Sequence, residues 1–132
     1  MIRSNPVNIR KEKEMNPKDW QEHVIRELEI VEKLIDRKQE EYVKDEEDML
    51  INFKKGGIFQ GITPEQSLLG GLSKHCISVA DMIKKVDNNY SYSLWQEKCH
   101  DIIVYQLLLL ALIKEREETI GGDIFRKETN DI

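Results

Sequence analysis

From Trp20 onward, apolar residues return at Val24, Leu28, Val31, Ile35 and Tyr42, in steps of 4, 4, 3, 4 and 7. That recurrence keeps them on one face of a helix. Asn16-Pro17-Lys18-Asp19 supplies its start. Asn serves as N-cap, Pro takes a position where its missing N–H costs nothing, and an acid lies in the first turn. The pattern predicts a long helix over about 17–55, with a break near Lys44 and Gly56-Gly57 as its terminator.

A three-glycine loop, Gly56 to Ile62, leads into Thr63-Pro64-Glu65-Gln66, which combines a capping box with Pro at the first helical position. The second predicted helix, about 64–87, carries Leu68, Leu72, Cys76, Val79, Ile83 and Val86 on one face. Its Gly70-Gly71 pair costs roughly 1 kcal/mol per residue against Ala in a helix interior. Close approach of another helix or of a ligand is one reason to carry it. Asp87-Asn88-Asn89 breaks this helix. A third is predicted over about 92–119, starting at Ser91 or Ser93, where Ser93-x-x-Gln96 fits a capping box, and stopped by Gly121-Gly122. No strand alternation and no internal repeat stand out.

The third helix is apolar almost all round from Ile102 to Ile113. A helix of that kind must be surrounded, and three helices of one chain can hardly do it. The expected fold is therefore all-α, a three-helix chain assembling into an oligomeric helical bundle. Residues 1–15 read as a flexible leader, 16–120 as a single helical domain, and 121–132 as a polar tail. The 12-residue apolar run contains Gln106 and falls short of the ~20 residues a bilayer span needs.

The whole chain of 132 residues suits one domain. Its net charge of −5 gives no basic footprint for generic nucleic-acid binding. Two cysteines, Cys76 and Cys99, make no disulfide framework, and no signal-peptide pattern opens the chain. A cytoplasmic, reduced protein with no membrane segment is the expectation.

Glu97 and Asp101 are four residues apart and share a stripe with Leu94, Val104, Tyr105, Leu108 and Leu112. Two carboxylates on a core stripe are expensive to bury unpaired. Either they are solvated at the rim, or they pair with a lysine, or they are oxygen ligands for Mg²⁺. The acidic run Glu40, Glu41, Asp45, Glu46, Glu47 and Asp48 reads as a solvated face unless it turns toward Glu97 and Asp101, in which case two helices supply a divalent site. Asn52-Phe53-Lys54-Lys55 before the glycines could dock a phosphate or base; lysines complementing a helix C-terminus explain it equally well. Lys74-His75-Cys76 and Cys99-His100 lack the spacing of a zinc site. There is no Walker A loop and no nucleophile–base signature.

Three segments carry a family resemblance. Lys38-x-x-Glu41-Tyr42 followed by Asn52-Phe53, then Lys74-His75 through Asp81-Met82, then Glu97-x-x-x-Asp101-Ile102-x-x-Tyr105, spread over residues 34–113, resemble the small phage and prophage proteins of the nucleotide modification associated type. These look related to the all-α nucleoside triphosphate pyrophosphatases, the MazG and dimeric dUTPase superfamily. The resemblance implies a homo-oligomeric bundle, a dimer or tetramer, in a bacterial host's cytoplasm. It implies Glu41, Glu97 and Asp101 as catalytic carboxylates, and Glu41, Asp45, Glu97 and Asp101 as ligands of Mg²⁺, or of Mn²⁺. Asn52, Lys54, Lys74 and His75 then become the nucleotide contacts. Its departure from that superfamily is the late pair, spaced Glu97-x3-Asp101 rather than ExxD. The expected function is Mg²⁺-dependent nucleotide binding, extending to release of pyrophosphate from a (d)NTP. The alternatives are a binder that sequesters a nucleotide or signal molecule, and a purely structural helical module.

Overall fold

The computed structural model describes residues 14–42, 48–85 and 89–120. They form four helices: α1 (Pro17–Tyr42), α2 (Ile51–Gln60), α3 (Pro64–Lys84) and α4 (Tyr92–Ile120). The all-α expectation holds, and no strand occurs among the described residues. The leader, Gly121-Gly122 and the polar tail fall largely or wholly outside the described residues, as do Lys44, Asp45 and Val86 to Asn88.

The predicted first helix, 17–55, is two helices. α1 begins where expected: Asn16 Oδ1 accepts the Asp19 N–H at 2.8 Å, and Asn16 O accepts that of Trp20 at 2.9 Å. α2 follows a turn in which Asp48 Oδ1 accepts the Leu50 N–H at 2.9 Å, and its N-cap, Leu50, provides no side-chain cap. Gly56-Gly57 does not end a helix, because α2 runs through both glycines to Gln60. The terminator is Gly61, left-handed at φ 72°. Its N–H reaches Ile58 O at 3.3 Å and the Ile62 N–H reaches Gly57 O at 2.8 Å, a Schellman closure. Gly56 and Gly57 have a different purpose. A Cβ on Gly57 would lie 2.7 Å from Ile62 O and 3.1 Å from Thr63 C, and one on Gly56 would lie 2.5 Å from Ser67 Oγ. The chain folds back onto the helix that precedes it, and only hydrogen fits between.

Two residues after Gly61, the predicted capping box is present. Thr63 Oγ1 accepts the Gln66 N–H at 3.1 Å, and Gln66 Oε1 accepts the Thr63 N–H at 2.9 Å. α4 is capped by Ser91, not by Ser93. Ser91 Oγ accepts the Leu94 N–H at 3.2 Å, and Tyr90 packs edge-on against Trp95 with ring centroids 5.9 Å apart. That contact, from the residue before the cap to the fourth helical residue, is a hydrophobic staple.

By compactness the chain divides into two units, residues 1–34 and 35–132. The described part of the first is the capped beginning of α1, where the Trp20 and His23 rings lie tilted against each other one turn apart and Val31 is buried. In the second, α3 packs against both α2 and α4. Leu50, Leu68 and Leu112 form its core, flanked by Phe53, Leu72, Tyr105, Leu108, Leu109 and Ala111. Leu68 is 1% exposed.

The inward seam of α3 differs from the predicted stripe. Leu68, Leu72, His75, Val79 and Met82 are buried or half-buried, whereas Cys76 and Ile83 are exposed. The steps 4, 3, 4, 3 follow a 3.5-residue period, which drifts by one position against the 3.6 of a straight helix. This drift turns His75 inward.

Candidate functional site

The second unit holds a partly open cavity of about 540 Å³. Its walls come from every helical segment of that unit. The last turns of α1 give Ile35 and Lys38; the start of α2 gives Asn52 and Phe53, with Met49 just before it. α3 gives His75. α4 gives Asp101, Val104, Tyr105, Leu107 and Leu108, the 3–4 spacing of one helix face.

Three rings stand in a row along this wall. Tyr105 meets Phe53 edge-on at 6.1 Å between centroids and lies against His75 at 5.0 Å. Such separations fall within the range where aromatic pairs attract beyond their buried area. His75 Nδ1 is 3.7 Å from Asp101 Oδ2, and both side chains are mostly buried. At this separation the two side chains face one another without a hydrogen bond between them.

Tyr105 reaches this position because α3 offers it a notch. A Cβ at Gly71 would fall 2.5 Å from Tyr105 Oη and 2.7 Å from its Cε2, so the ring lies where any other residue's side chain would begin. Gly70, its neighbour, faces open space. Of the two glycines, Gly71 is the one held by close approach.

The predicted site residues separate into two groups. Asn52, His75 and Asp101 line the cavity together. Lys54 is engaged beside it: its ammonium pairs with Asp48 and, at 2.9 Å, with Glu115. These two carboxylates, Asp48 first and then Glu115, hold the Lys54 ammonium above its ordinary value. Lys54, and then the Leu50 N–H, hold the Asp48 carboxyl below its own. The trio ties the start of α2 to α4 and is a fastening, not part of the cavity wall. Lys74 is exposed on α3 and does not line the cavity, while Glu41 and Glu97 are exposed on α1 and α4. Asp45 lies outside the described residues.

Asp101 is the single carboxylate among the described lining residues. Among the described residues, no three His, Cys, Asp or Glu side chains converge as a metal site. Mg²⁺ asks for several oxygen donors in a near-octahedral set. Of the four carboxylates expected to hold the ion, Asp101 lines the cavity, Glu41 and Glu97 are exposed, and Asp45 lies outside the described residues. In the sequence Lys38 is marked only as a motif position and Ile35 as part of a stripe, whereas Phe53 belongs to the segment that could dock a phosphate or base and Tyr105 to the Asp101 stripe. The signal for them was the i, i+3 pair Ile35–Lys38 and the i, i+4 pair Asp101–Tyr105, which share helix faces.

No helix among the described residues is long and apolar enough to cross a membrane. No protein-family model matches the sequence, and neither a curated protein nor a solved structure matches it.

Proposed function

We propose that this chain binds a nucleotide or a nucleotide-derived small molecule in the cavity of its second unit. The observation that carries the reading is the cavity itself. About 540 Å³ lies within the usual size of small-molecule sites, and its largely apolar walls hold a few converging polar groups. A flat base suits the row Phe53, Tyr105 and His75, while Asn52 and Asp101 offer hydrogen-bonding partners to its polar edge. The resemblance to the nucleotide modification associated proteins agrees with the same ligand class.

Binding is supported further than hydrolysis. A pyrophosphohydrolase would gather carboxylates around Mg²⁺, whereas Glu97 and Glu41 are exposed and Asp101 faces His75. Association of copies belongs to this reading too. Leu107, which also lines the cavity, is 46% exposed and Leu110 is 65% exposed, apolar surface on α4 that a second copy would cover.

The test is a thermal-shift screen over nucleosides and nucleotides, with and without Mg²⁺ or Mn²⁺. A ligand at 100 times its Kd adds about 2.7 kcal/mol to stability, a readily measured rise in the midpoint. Phe53→Ala should remove that rise while the protein stays folded. Pyrophosphate release that needs the metal and disappears in Asp101→Ala would establish hydrolysis. A midpoint indifferent to every nucleotide would refute the proposal and leave a structural helical module.

A further inference from the structure

Resting on that reading, we infer that the cavity takes a nucleoside or nucleoside monophosphate rather than a triphosphate, and that Gly71 sets the wall against which its base stacks. The first half follows from charge. Among the described lining residues the formal charges are those of Lys38 and Asp101, which cancel, with His75 beside Asp101. Among the described residues, the two lysines expected to contact a nucleotide are elsewhere. Lys54 is shared by Asp48 and Glu115, and Lys74 stands exposed, off the wall. A triphosphate would bring several negative charges toward Asp101, the one carboxylate among the described lining residues, and like charges brought together inside an interface oppose binding. A base with a ribose, or with a single phosphate, brings less negative charge toward Asp101.

The second half follows from the contact at Gly71. The atoms nearest to a built Cβ there, Oη at 2.5 Å, Cε2 at 2.7 Å and Cζ at 2.9 Å, all belong to the outer end of the Tyr105 ring. A side chain's far end yields more readily than backbone, so an alanine would be relieved by rotating the ring. His75 and Phe53 flank it, and the space left to it is the cavity. Gly71 is thus a positioning residue: it never touches the ligand, yet it holds the stacking ring clear of the ligand's place. Gly70 provides the control, with nothing within 4 Å of its built Cβ.

The experiment is isothermal titration of the full chain with the common nucleosides, their monophosphates and their triphosphates, each with and without Mg²⁺. The wild type should bind at least one nucleoside or monophosphate, with the corresponding triphosphate at least tenfold weaker and Mg²⁺ not restoring it. Gly71→Ala should weaken the bound nucleoside at least tenfold, and Gly70→Ala less than twofold. If Gly71→Ala does not fold by circular dichroism, Tyr105→Leu, which removes the ring without overlap, should show the same loss. A triphosphate that binds tighter, or binding that requires Mg²⁺, overturns the ligand class while leaving nucleotide binding intact. Unchanged affinity in Gly71→Ala, or in Tyr105→Leu where it stands in, overturns the wall. No binding by any probe overturns the proposed function as well.

Discussion

The same substitution at two helical glycines should move stability in opposite directions. Gly70 lies exposed in the interior of α3 with no atom within 4 Å of its built Cβ. Gly70→Ala therefore gains only the helix preference of alanine, about 1 kcal/mol. Gly57 lies buried in α2, where a methyl would stand 2.7 Å from Ile62 O, 3.1 Å from Thr63 C and 3.2 Å from Pro64 N. Carbon contacts are ordinarily about 3.5–4.0 Å. All three obstacles are backbone, fixed by the Ile62 N–H bond to Gly57 O on one side and by the Thr63–Gln66 box on the other. Overpacking of this kind costs about 1–3 kcal/mol, against which the same 1 kcal/mol of helix preference is recovered. Gly57→Ala should thus lose up to about 2 kcal/mol, and the two variants should differ by about 1–3 kcal/mol. Urea unfolding followed by circular dichroism reads this as opposite shifts of midpoint at unchanged slope. Equal stability of the two variants would refute the close return of the chain onto α2.

Three further outcomes follow from the core, the fastening and a cap. Leu68→Ala, at the centre of the core, should cost about 2–5 kcal/mol, measured by the same unfolding; a loss under about 1 kcal/mol would contradict its burial. Because Asp48 is held below its ordinary 3.8, its contribution is present above that pH and is lost as pH falls through its folded value. Lys54, held above 10.5, contributes fully below that pH and loses its share as pH rises through its folded value. The trio is part-exposed, so Lys54→Met should lower the plateau between these limits by under about 1 kcal/mol and flatten the alkaline fall in a pH-stability profile. Thr63→Ala removes the oxygen that satisfies the Gln66 N–H and should cost about 1 kcal/mol by thermal unfolding, while Thr63→Ser retains most of it.

The starts of α1, α3 and α4 were legible because their chemistry is local. Asn16-Pro17, Thr63-Pro64 and Ser91 each cap by an oxygen that reaches an N–H three residues on, within the reach of sequence spacing. Gly56-Gly57 was misread because glycine answers two demands, a left-handed turn and a close approach, and only the folded chain reveals which one applies. The stripe on α3 was displaced by one position for a related reason: a 3.5-residue seam and a 3.6-residue face agree for two turns and then part, so Met82 rather than Ile83 is buried. Of the candidate site, Asn52, His75 and Asp101 do share one cavity, although the sequence offered Asp101 with Glu97 as its companion. Four residues along one helix suggested that pair, while the observed partner, His75, comes from another helix. Such cross-helix meetings depend on rotation of each helix about its own axis, which spacing along a single helix does not determine.

The turn between α2 and α3 has a consequence for how the chain reaches this structure. The parts it brings together, Gly57 with Ile62 to Pro64 and Gly56 with Ser67, are separated by no more than eleven positions along the sequence, from 56 to 67. Closing so short a loop forfeits little chain entropy, and such local contacts form fast. By contrast, Lys54 with Glu115 spans 61 positions. The helical hairpin is therefore the natural first structure, with docking of α4 as the later, slower event. On this order the row of rings forms last, since Tyr105 reaches its notch only when α4 arrives. Transition-state analysis should then give high values for Thr63→Ala, which deletes a contact at the hairpin turn, and values near zero for truncations on α4.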